Sequence, residues 1–189
     1  MSWPRCANAL SRYGLKKGYL LAVGTQSANK NIAALIAAHA QTDAPDLVLV
    51  GGGVPGVQGT EFENSGRVHA LGRVPDADLR ALYEGASAFV FPSLYEGFGI
   101  PPLEAMQLGV PVLCARSGAM PEVLGTAPMW FNPREIGSMI DARTVFAQAD
   151  HGAMVAAGLR CAANYTWRNS ALGLVDVVLC VDHRIAQAA

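Results

Sequence analysis

The sequence predicts an α/β fold: a Rossmann-like, doubly wound parallel sheet of about six strands with helices on both faces. Two observations predict it. Short apolar runs recur along the chain, and longer stretches with helical features separate them. Strands of a parallel sheet are buried on both faces, so their sequences are apolar throughout. Alternation of such strands with helices is typical of βαβ units with right-handed crossovers.

The elements follow in chain order from these runs and from their boundary residues. Strands are predicted near residues 19–23, 47–50, 68–71, 88–91, 111–115 and 128–131. Helices are predicted near residues 30–40, 76–85, 101–108, 120–124, 133–148, 152–163 and 167–182. Pro75 and Asp76 mark one helix start, because proline and an acidic residue suit a first turn. In such a sheet, ligands lie beyond the carboxyl ends of the strands.

Composition limits the class of protein. The chain has 189 residues, of which 51% are hydrophobic and 15% charged, and its net charge is −1. That length predicts one domain with a sizeable core. A near-neutral charge gives no case for nucleic-acid binding. No apolar run reaches the ~18 residues of a membrane span, and no apolar leader region follows the N-terminus. We therefore expect a cytoplasmic location, with peripheral attachment at the inner face of the membrane left open.

The domain bounds follow from the first strand and the last helix. Residues 19–182 are predicted to form the Rossmann-like domain, with 1–18 as an extension or interdomain linker and 183–189 as a tail. Gly51–Gly56 matches G-x-G-x-x-G, the dinucleotide fingerprint, which requires a helix to begin within it. Pro55 and the following residues show no helical period, so we interpret this segment as a loop.

Cysteines and histidines do not predict a metal site. The four cysteines contain no C-x-x-C pair, and the four histidines are equally scattered. Cys114 lies in an apolar run and is predicted to be a buried strand residue. His39 shares a helical stripe with Ile32 and Leu35, so we predict a packing role with its polar atoms satisfied.

The most informative segment joins the fourth predicted strand to the next helix. After Ala88–Phe91 come Glu96, the turn Gly97–Gly99, two prolines and Glu104. The turn offers free backbone N–H groups at a helix N-terminus, which favours an anion. Glu104 follows about one turn later and can accept hydrogen bonds from hydroxyls beside that anion. A phosphate next to hydroxyl groups describes a nucleotide-sugar.

This segment resembles the E-x7-E motif of retaining GT-B glycosyltransferases of the family 4 type. Other segments agree with that family in order, and the resemblance covers roughly residues 19–182: Tyr19–Thr25, Lys30–Asn31, Leu47–Gly53, Val68–Val74, Asp78–Tyr83, Gly109–Val112 and Met120–Val123. The resemblance implies the C-terminal, donor-binding half of a GT-B architecture. It is nearest to mannosyltransferase-like members, which implies GDP-mannose as a possible donor.

The resemblance also implies roles for individual residues. Glu96 would lie by the transferred sugar and Lys30 by the diphosphate, as the catalytic pair. Glu104 would bind the ribose hydroxyls, and Val74 would bind the nucleobase through backbone atoms. The remaining donor-binding residues would be Gly97, Phe98, Gly99, Ile100 and Gly24. The resemblance implies no metal and no cofactor besides the nucleotide-sugar donor.

One departure from the family and two alternatives stay open. Thr25 and Asn29 stand where the family would place an arginine, so diphosphate binding is expected to be weaker. The sugar or lipid-linked acceptor would be held by an N-terminal domain that this chain has no room for. The apolar C-terminal helix is expected to contact that domain or to self-associate. The alternatives are a non-catalytic nucleotide-sugar-binding module or degenerate fragment, and an unrelated nucleotide-binding domain of the same fold.

Overall fold

A computed structural model describes residues 9–25, 27–53 and 64–188, with side chains up to residue 179. Its strands are β1 (Leu20–Val23), β2 (Leu47–Val50), β3 (Val68–Ala70), β4 (Ala88–Phe91), β5 (Val112–Ala115) and β6 (Met129–Phe131). Its helices are α1 (Ile32–Ala40), α2 (Asp76–Gly85), α3 (Ile100–Gln107), α4 (Met120–Leu124), α5 (Ile136–Phe146), α6 (His151–Ala162) and α7 (Trp167–Ala188). A short 3-10 turn, Ala28–Lys30, follows β1.

The six strands form one sheet in the order β3-β2-β1-β4-β5-β6, and every neighbouring pair is parallel. The chain builds outward from β1 to β3, then returns to the other side of β1 for β4. The strand order therefore reverses between β1 and β4. A crevice opens at such a switch point beyond the carboxyl ends of the strands, where ligands of this fold bind. The predicted fold class is confirmed.

Helices cover both faces of the sheet. One face of the sheet packs against α2, α3, α4 and the end of α6, and the opposite face packs against α1 and α5. The strands are apolar because each of their faces is covered, except that the edge strand β3 carries the partly exposed His69. Leu21 in β1 and Phe89 in β4 are fully buried, and burial of such side chains contributes about 1.5–3 kcal/mol each. Cys114 is buried in β5, as predicted.

Residues 9–15 are part of the packed domain, although they fall within the predicted extension 1–18. Residues 9–12 are helical, and Leu10 and Leu15 are buried in the core. The Asp78 carboxylate in α2 accepts hydrogen bonds from Arg12 at 2.6 Å and from the hydroxyl of Tyr13 at 2.9 Å. These polar contacts are between residues more than sixty positions apart, so no local pattern indicates them.

Two further sequence predictions concern His39 and the segment Gly51–Gly56. His39 is buried in α1 as predicted, but no described residue forms a well-oriented hydrogen bond with either of its ring nitrogens, although the backbone of Arg67 lies close by, so the prediction that its polar atoms are satisfied is wrong. Burial and the nearby guanidinium groups of Arg143 and Arg67 lower the pKa of His39 to about 4. The interpretation of Gly51–Gly56 as a loop lies partly outside the described residues.

Candidate functional site

Lys30 and Glu96 meet at the switch point. Lys30 ends the 3-10 turn after β1, and Glu96 lies in the loop after β4. The Lys30 Nζ donates to Glu96 Oε1 at 2.5 Å, and the two side chains are only 19% and 17% exposed. The same ammonium lies 5.5 Å from the ring centre of Phe91. The fold thus brings together the two residues predicted to be catalytic, and it pairs them directly.

Asn31 fixes the position of Lys30, and sequence reasoning missed it. We predicted that Lys30 opens a helix, but α1 begins at Ile32, and Asn31 between them has φ 55°. Asparagine adopts this left-handed conformation more readily than most residues. Its Nδ2 donates to the carbonyls of Pro92 at 3.2 Å and Pro133 at 2.8 Å. Asn31 therefore turns the chain after Lys30 and joins it to the loops after β4 and β6.

Gly24, after β1, and Gly51, after β2, allow their backbones to pack closely next to the Lys30 side chain. A Cβ on Gly24 would lie 3.4 Å from Cδ of Lys30, so the lysine stem runs directly over this glycine. Gly51, after β2, has φ 131°, and a Cβ there would lie 1.8 Å from the Gly24 carbonyl oxygen. Gly24 therefore positions Lys30 and leaves no room for a side chain on Gly51.

The turn Gly97–Gly99 presents free backbone donors. Among the described residues, none accepts a hydrogen bond from the N–H of Gly97, Phe98 or Gly99. Gly99 has φ 84° and caps α3. Pro101 and Pro102 have no N–H, so two of the usual first-turn donors of α3 are missing. The anion-binding donors of this helix end are therefore supplied mainly by the turn.

The segment Ser117–Ala119 supports this turn from the next loop. The Ala119 N–H donates to the Glu96 carbonyl at 3.2 Å, and the Ser117 hydroxyl donates to the Ser93 carbonyl at 2.7 Å. A Cβ on Gly118 would lie 2.6 Å from the Glu96 carbonyl oxygen, so the two loops touch at their backbones. The position of Glu96 is set by these contacts as well as by Lys30.

Glu104 faces α2 rather than the Lys30–Glu96 pair. Its Oε2 accepts a hydrogen bond from the hydroxyl of Tyr83 at 3.2 Å. Burial first, and then the Glu104 carboxylate, raise the pKa of Tyr83, so this hydroxyl stays a donor. Both residues line a pocket of about 400 Å³ together with Asp76 and Arg80 of α2. Sequence reasoning did not select Tyr83, because it reads as a core residue of α2.

The other predicted donor-binding residues lie in the loops after β3 and β4 and at the start of α3. Val74 is half-buried before α2, and no described residue bonds to its backbone N–H or carbonyl, which are therefore available to a ligand. Phe98 is 46% exposed and packs edge-to-face on Tyr165, with ring centres 5.5 Å apart. Ile100 is exposed at the start of α3. The packing of Phe98 on Tyr165 connects the turn to the segment that follows α6.

Two absences apply to the described residues. They contain no group of three or more His, Cys, Asp or Glu side chains that could hold a metal ion. No helix among them has both the length and the hydropathy needed to cross a membrane.

Comparison with known proteins identifies the family. The family model described as "Glycosyl transferases group 1" matches residues 11–143. The chain belongs to this family. The alternative of an unrelated nucleotide-binding domain is therefore wrong.

Relatives agree with this membership. The O-antigen chain mannosyltransferase B of Escherichia coli is 34% identical over 177 residues, which is 87% of this chain and 46% of that protein. A serotype-specific mannosyltransferase of Escherichia coli, WbdA, is 31% identical over 88% of this chain and 22% of its own length. Sucrose-phosphate synthase from Thermosynechococcus elongatus superposes with a TM-score of 0.78 at 25% identity, covering 94% of this chain and 49% of that one. The chain spans less than half the length of each.

Proposed function

We propose that this chain is the donor-binding domain of a retaining glycosyltransferase that uses a nucleoside-diphosphate sugar, with GDP-mannose as the first donor to test. One observation carries the proposal. A shielded ammonium, a carboxylate and free backbone N–H groups converge where the strand order reverses. The mannosyltransferase names of two relatives favour mannose as the transferred sugar.

The proposed mechanism assigns leaving-group stabilisation to this chain. When the bond from the sugar to the diphosphate breaks, negative charge grows on the phosphate oxygens. The Lys30 ammonium and the N–H groups of Gly97, Phe98 and Gly99 would stabilise that charge at fixed positions. These donors carry the charge without a metal ion, so we expect turnover to be independent of divalent cations. The Glu96 carboxylate would accept hydrogen bonds from the sugar hydroxyls.

The nucleoside would lie along α2 and α3. Glu104, oriented by Tyr83, would accept hydrogen bonds from the ribose hydroxyls, and the free backbone of Val74 would bind the base. Ile100 and Phe98 would supply apolar contact at the mouth of the site. Glu104 makes no direct contact with the Lys30–Glu96 pair, which suits an elongated ligand that is held at both ends. Thr25 near Lys30 supplies a hydroxyl where a second cation is expected, so diphosphate binding is proposed to be modest.

The acceptor would be held outside these 189 residues, in another domain or chain. Helix α7 is the proposed contact. Six of its apolar side chains are each between 52% and 65% exposed: Leu172, Leu174, Val175, Val177, Val178 and Leu179. Such a continuous apolar surface indicates a protein interface. Self-association through α7 is the second use we propose for it. A cytoplasmic location stays a prediction.

The first experiment is a thermal-shift panel of GDP-, UDP- and ADP-sugars. A ligand at 100 times its dissociation constant adds about 2.7 kcal/mol to the free energy of unfolding, so binding gives a clear shift. The variant Gly97→Pro removes one turn donor and should reduce the shift, while Gly137→Ala, in α5, should leave it unchanged. Donor hydrolysis in the same samples distinguishes an enzyme from a non-catalytic binding module. No shift with any nucleotide-sugar refutes both.

The second experiment tests α7 by gel filtration. We expect the chain to elute larger than a 19.8 kDa monomer, and the double variant Leu174→Glu/Val178→Glu to elute as a monomer. Equal elution of both proteins at the monomer volume contradicts self-association.

A further inference from the structure

A second pocket lies at the amino ends of the strands, whereas the Lys30–Glu96 site lies at their carboxyl ends. Leu20 begins β1, Ser87 directly precedes β4 and Pro45 lies two residues before β2, and all three line it. Because these strands are about four residues long, ~13 Å separates their amino ends from their carboxyl ends. The pocket has a volume of about 440 Å³, within the range of sites for small organic ligands.

The pocket contains a buried cation without a partner. Arg143, near the end of α5, is 7% exposed and lines the pocket. None of its three guanidinium nitrogens has a hydrogen-bond partner among the described residues. Burial is the main cause that lowers the pKa of Arg143, and the charge of Arg67 adds to it. Buried charges in proteins are normally paired, so this guanidinium is the unusual feature of the pocket.

The residues around Arg143 add positive charge and supply little negative charge to balance it. The Arg67 guanidinium donates to the carbonyls of Thr42 and Ala44, both of which line the pocket. His39 is buried, and its pKa is lowered to about 4 by burial and by the charges of Arg143 and Arg67, so it is neutral near pH 7. Asp43 is the acidic residue of the pocket wall, and its side chain is solvent-exposed.

We propose that this pocket binds a small organic anion: a carboxylate or phosphate monoester that carries an apolar group. The guanidinium of Arg143 presents a planar fork of N–H donors that matches two oxygens of either anion. The rest of the wall is mostly apolar, with Leu20, Pro45 and Phe146 available to the body of the ligand. The proposal is independent of the sugar-nucleotide site, because the two sites share no residue.

The test measures binding of phenyl phosphate and hexanoate to the 189-residue chain by calorimetry. Phenol and hexan-1-ol serve as neutral controls, and inorganic phosphate serves as the anion without an apolar group. We expect both organic anions to bind and the neutral controls not to bind. Arg143→Met should weaken binding roughly 10- to 100-fold, as expected for loss of hydrogen bonds to a charged group. With both organic anions, amide NMR shifts should appear at Leu20 and Ser87.

Two further variants keep the test decisive if Arg143→Met fails to fold. Ala147→Trp, at an exposed position of the wall, should block the pocket while leaving Arg143 in place. Arg160→Met, which removes an exposed cation of α6 outside both sites, should leave binding of these probes unchanged. Undiminished binding to Arg143→Met or Ala147→Trp overturns the proposal, and so does loss of binding in Arg160→Met. Strong coupling between Asp43→Asn and Arg143→Met in a stability cycle also overturns it, because Arg143 then has an internal partner.

Discussion

Glu96 competes with the ligand for Lys30, and this competition gives the sharpest prediction. In the free chain the ammonium already donates to the carboxylate at 2.5 Å. A nucleoside diphosphate must draw Lys30 away from Glu96, and its phosphates must also approach the Glu96 charge. Replacing Glu96 by glutamine removes both obstacles and nearly preserves the shape of the side chain. We therefore expect Glu96→Gln to bind free GDP more tightly than the native chain.

The size of the gain follows from the burial of the pair. With less than a fifth of each side chain exposed, solvent weakens this bond far less than at a free surface. A hydrogen bond between charged groups contributes about 1.5–3 kcal/mol, and the lower figure corresponds to about tenfold in affinity. We expect a gain of about tenfold for GDP. For GDP-mannose the gain should be offset or reversed, because Glu96 is proposed to bind the sugar.

Isothermal titration calorimetry with GDP and GDP-mannose measures both effects. If the thermal-shift panel selects another base, the matching pair replaces them. Lys30→Met should weaken GDP binding 10- to 100-fold. In the Lys30→Met background, Glu96→Gln should raise GDP affinity by less than it does in the native chain, because only the direct repulsion between Glu96 and the phosphates remains to be relieved. Glu135→Gln, which neutralises a carboxylate at the start of α5, is the control for net charge. A tenfold loss of GDP affinity in Glu96→Gln refutes the competition, and an unchanged affinity does so too.

Three further predictions concern orientation, backbone strain and pH. Tyr83→Phe removes the donor to Glu104 and should weaken GDP binding about 2- to 10-fold, against 10- to 100-fold for Glu104→Gln, as calorimetry can measure. Gly51→Ala places a Cβ 1.8 Å from the Gly24 carbonyl oxygen, at a residue whose φ is positive. The free energy of unfolding measured in urea should therefore fall by roughly 1–3 kcal/mol or more. His39 has a pKa of about 4 when folded and 6.5 when exposed, so the unfolded chain binds the proton first. The free energy of unfolding should therefore fall by up to roughly 3 kcal/mol as pH drops from 6.5 to 4.

Matched variants show what would contradict these three expectations. Equal GDP affinity of Tyr83→Phe and the native chain means that Tyr83 does not orient Glu104. Gly137→Ala, where nothing lies within 4 Å of the added carbon, should be neutral or stabilising, so a similar loss there would remove the argument for Gly51. His39→Phe should flatten the stability slope between pH 6.5 and 4, and an unchanged slope assigns the titration to another group.

The layered architecture of this protein follows from local sequence patterns. Apolar runs such as Leu47–Val50 can only be buried on both faces, and helices between them require parallel pairing, so the fold class and all six strands were predictable. The course of the Glu96–Glu104 segment was also predictable, because the strand, glycines and prolines that define it are contiguous in the sequence. Its position at a strand end follows from local pattern alone.

Contacts between side chains of different elements depend on how those elements pack together. Lys30 and Glu96 are 66 residues apart, and their pairing depends on the return of β4 to the side of β1. The contact of Tyr83 with Glu104 and the buried Arg143 likewise depend on how separate helices pack. A sequence pattern shows which residues are apolar and how they repeat, because both properties are set within one helix or strand. Ion pairs, shared hydrogen bonds and unpaired charges form between elements, so their geometry is fixed only when the sheet and its helices come together.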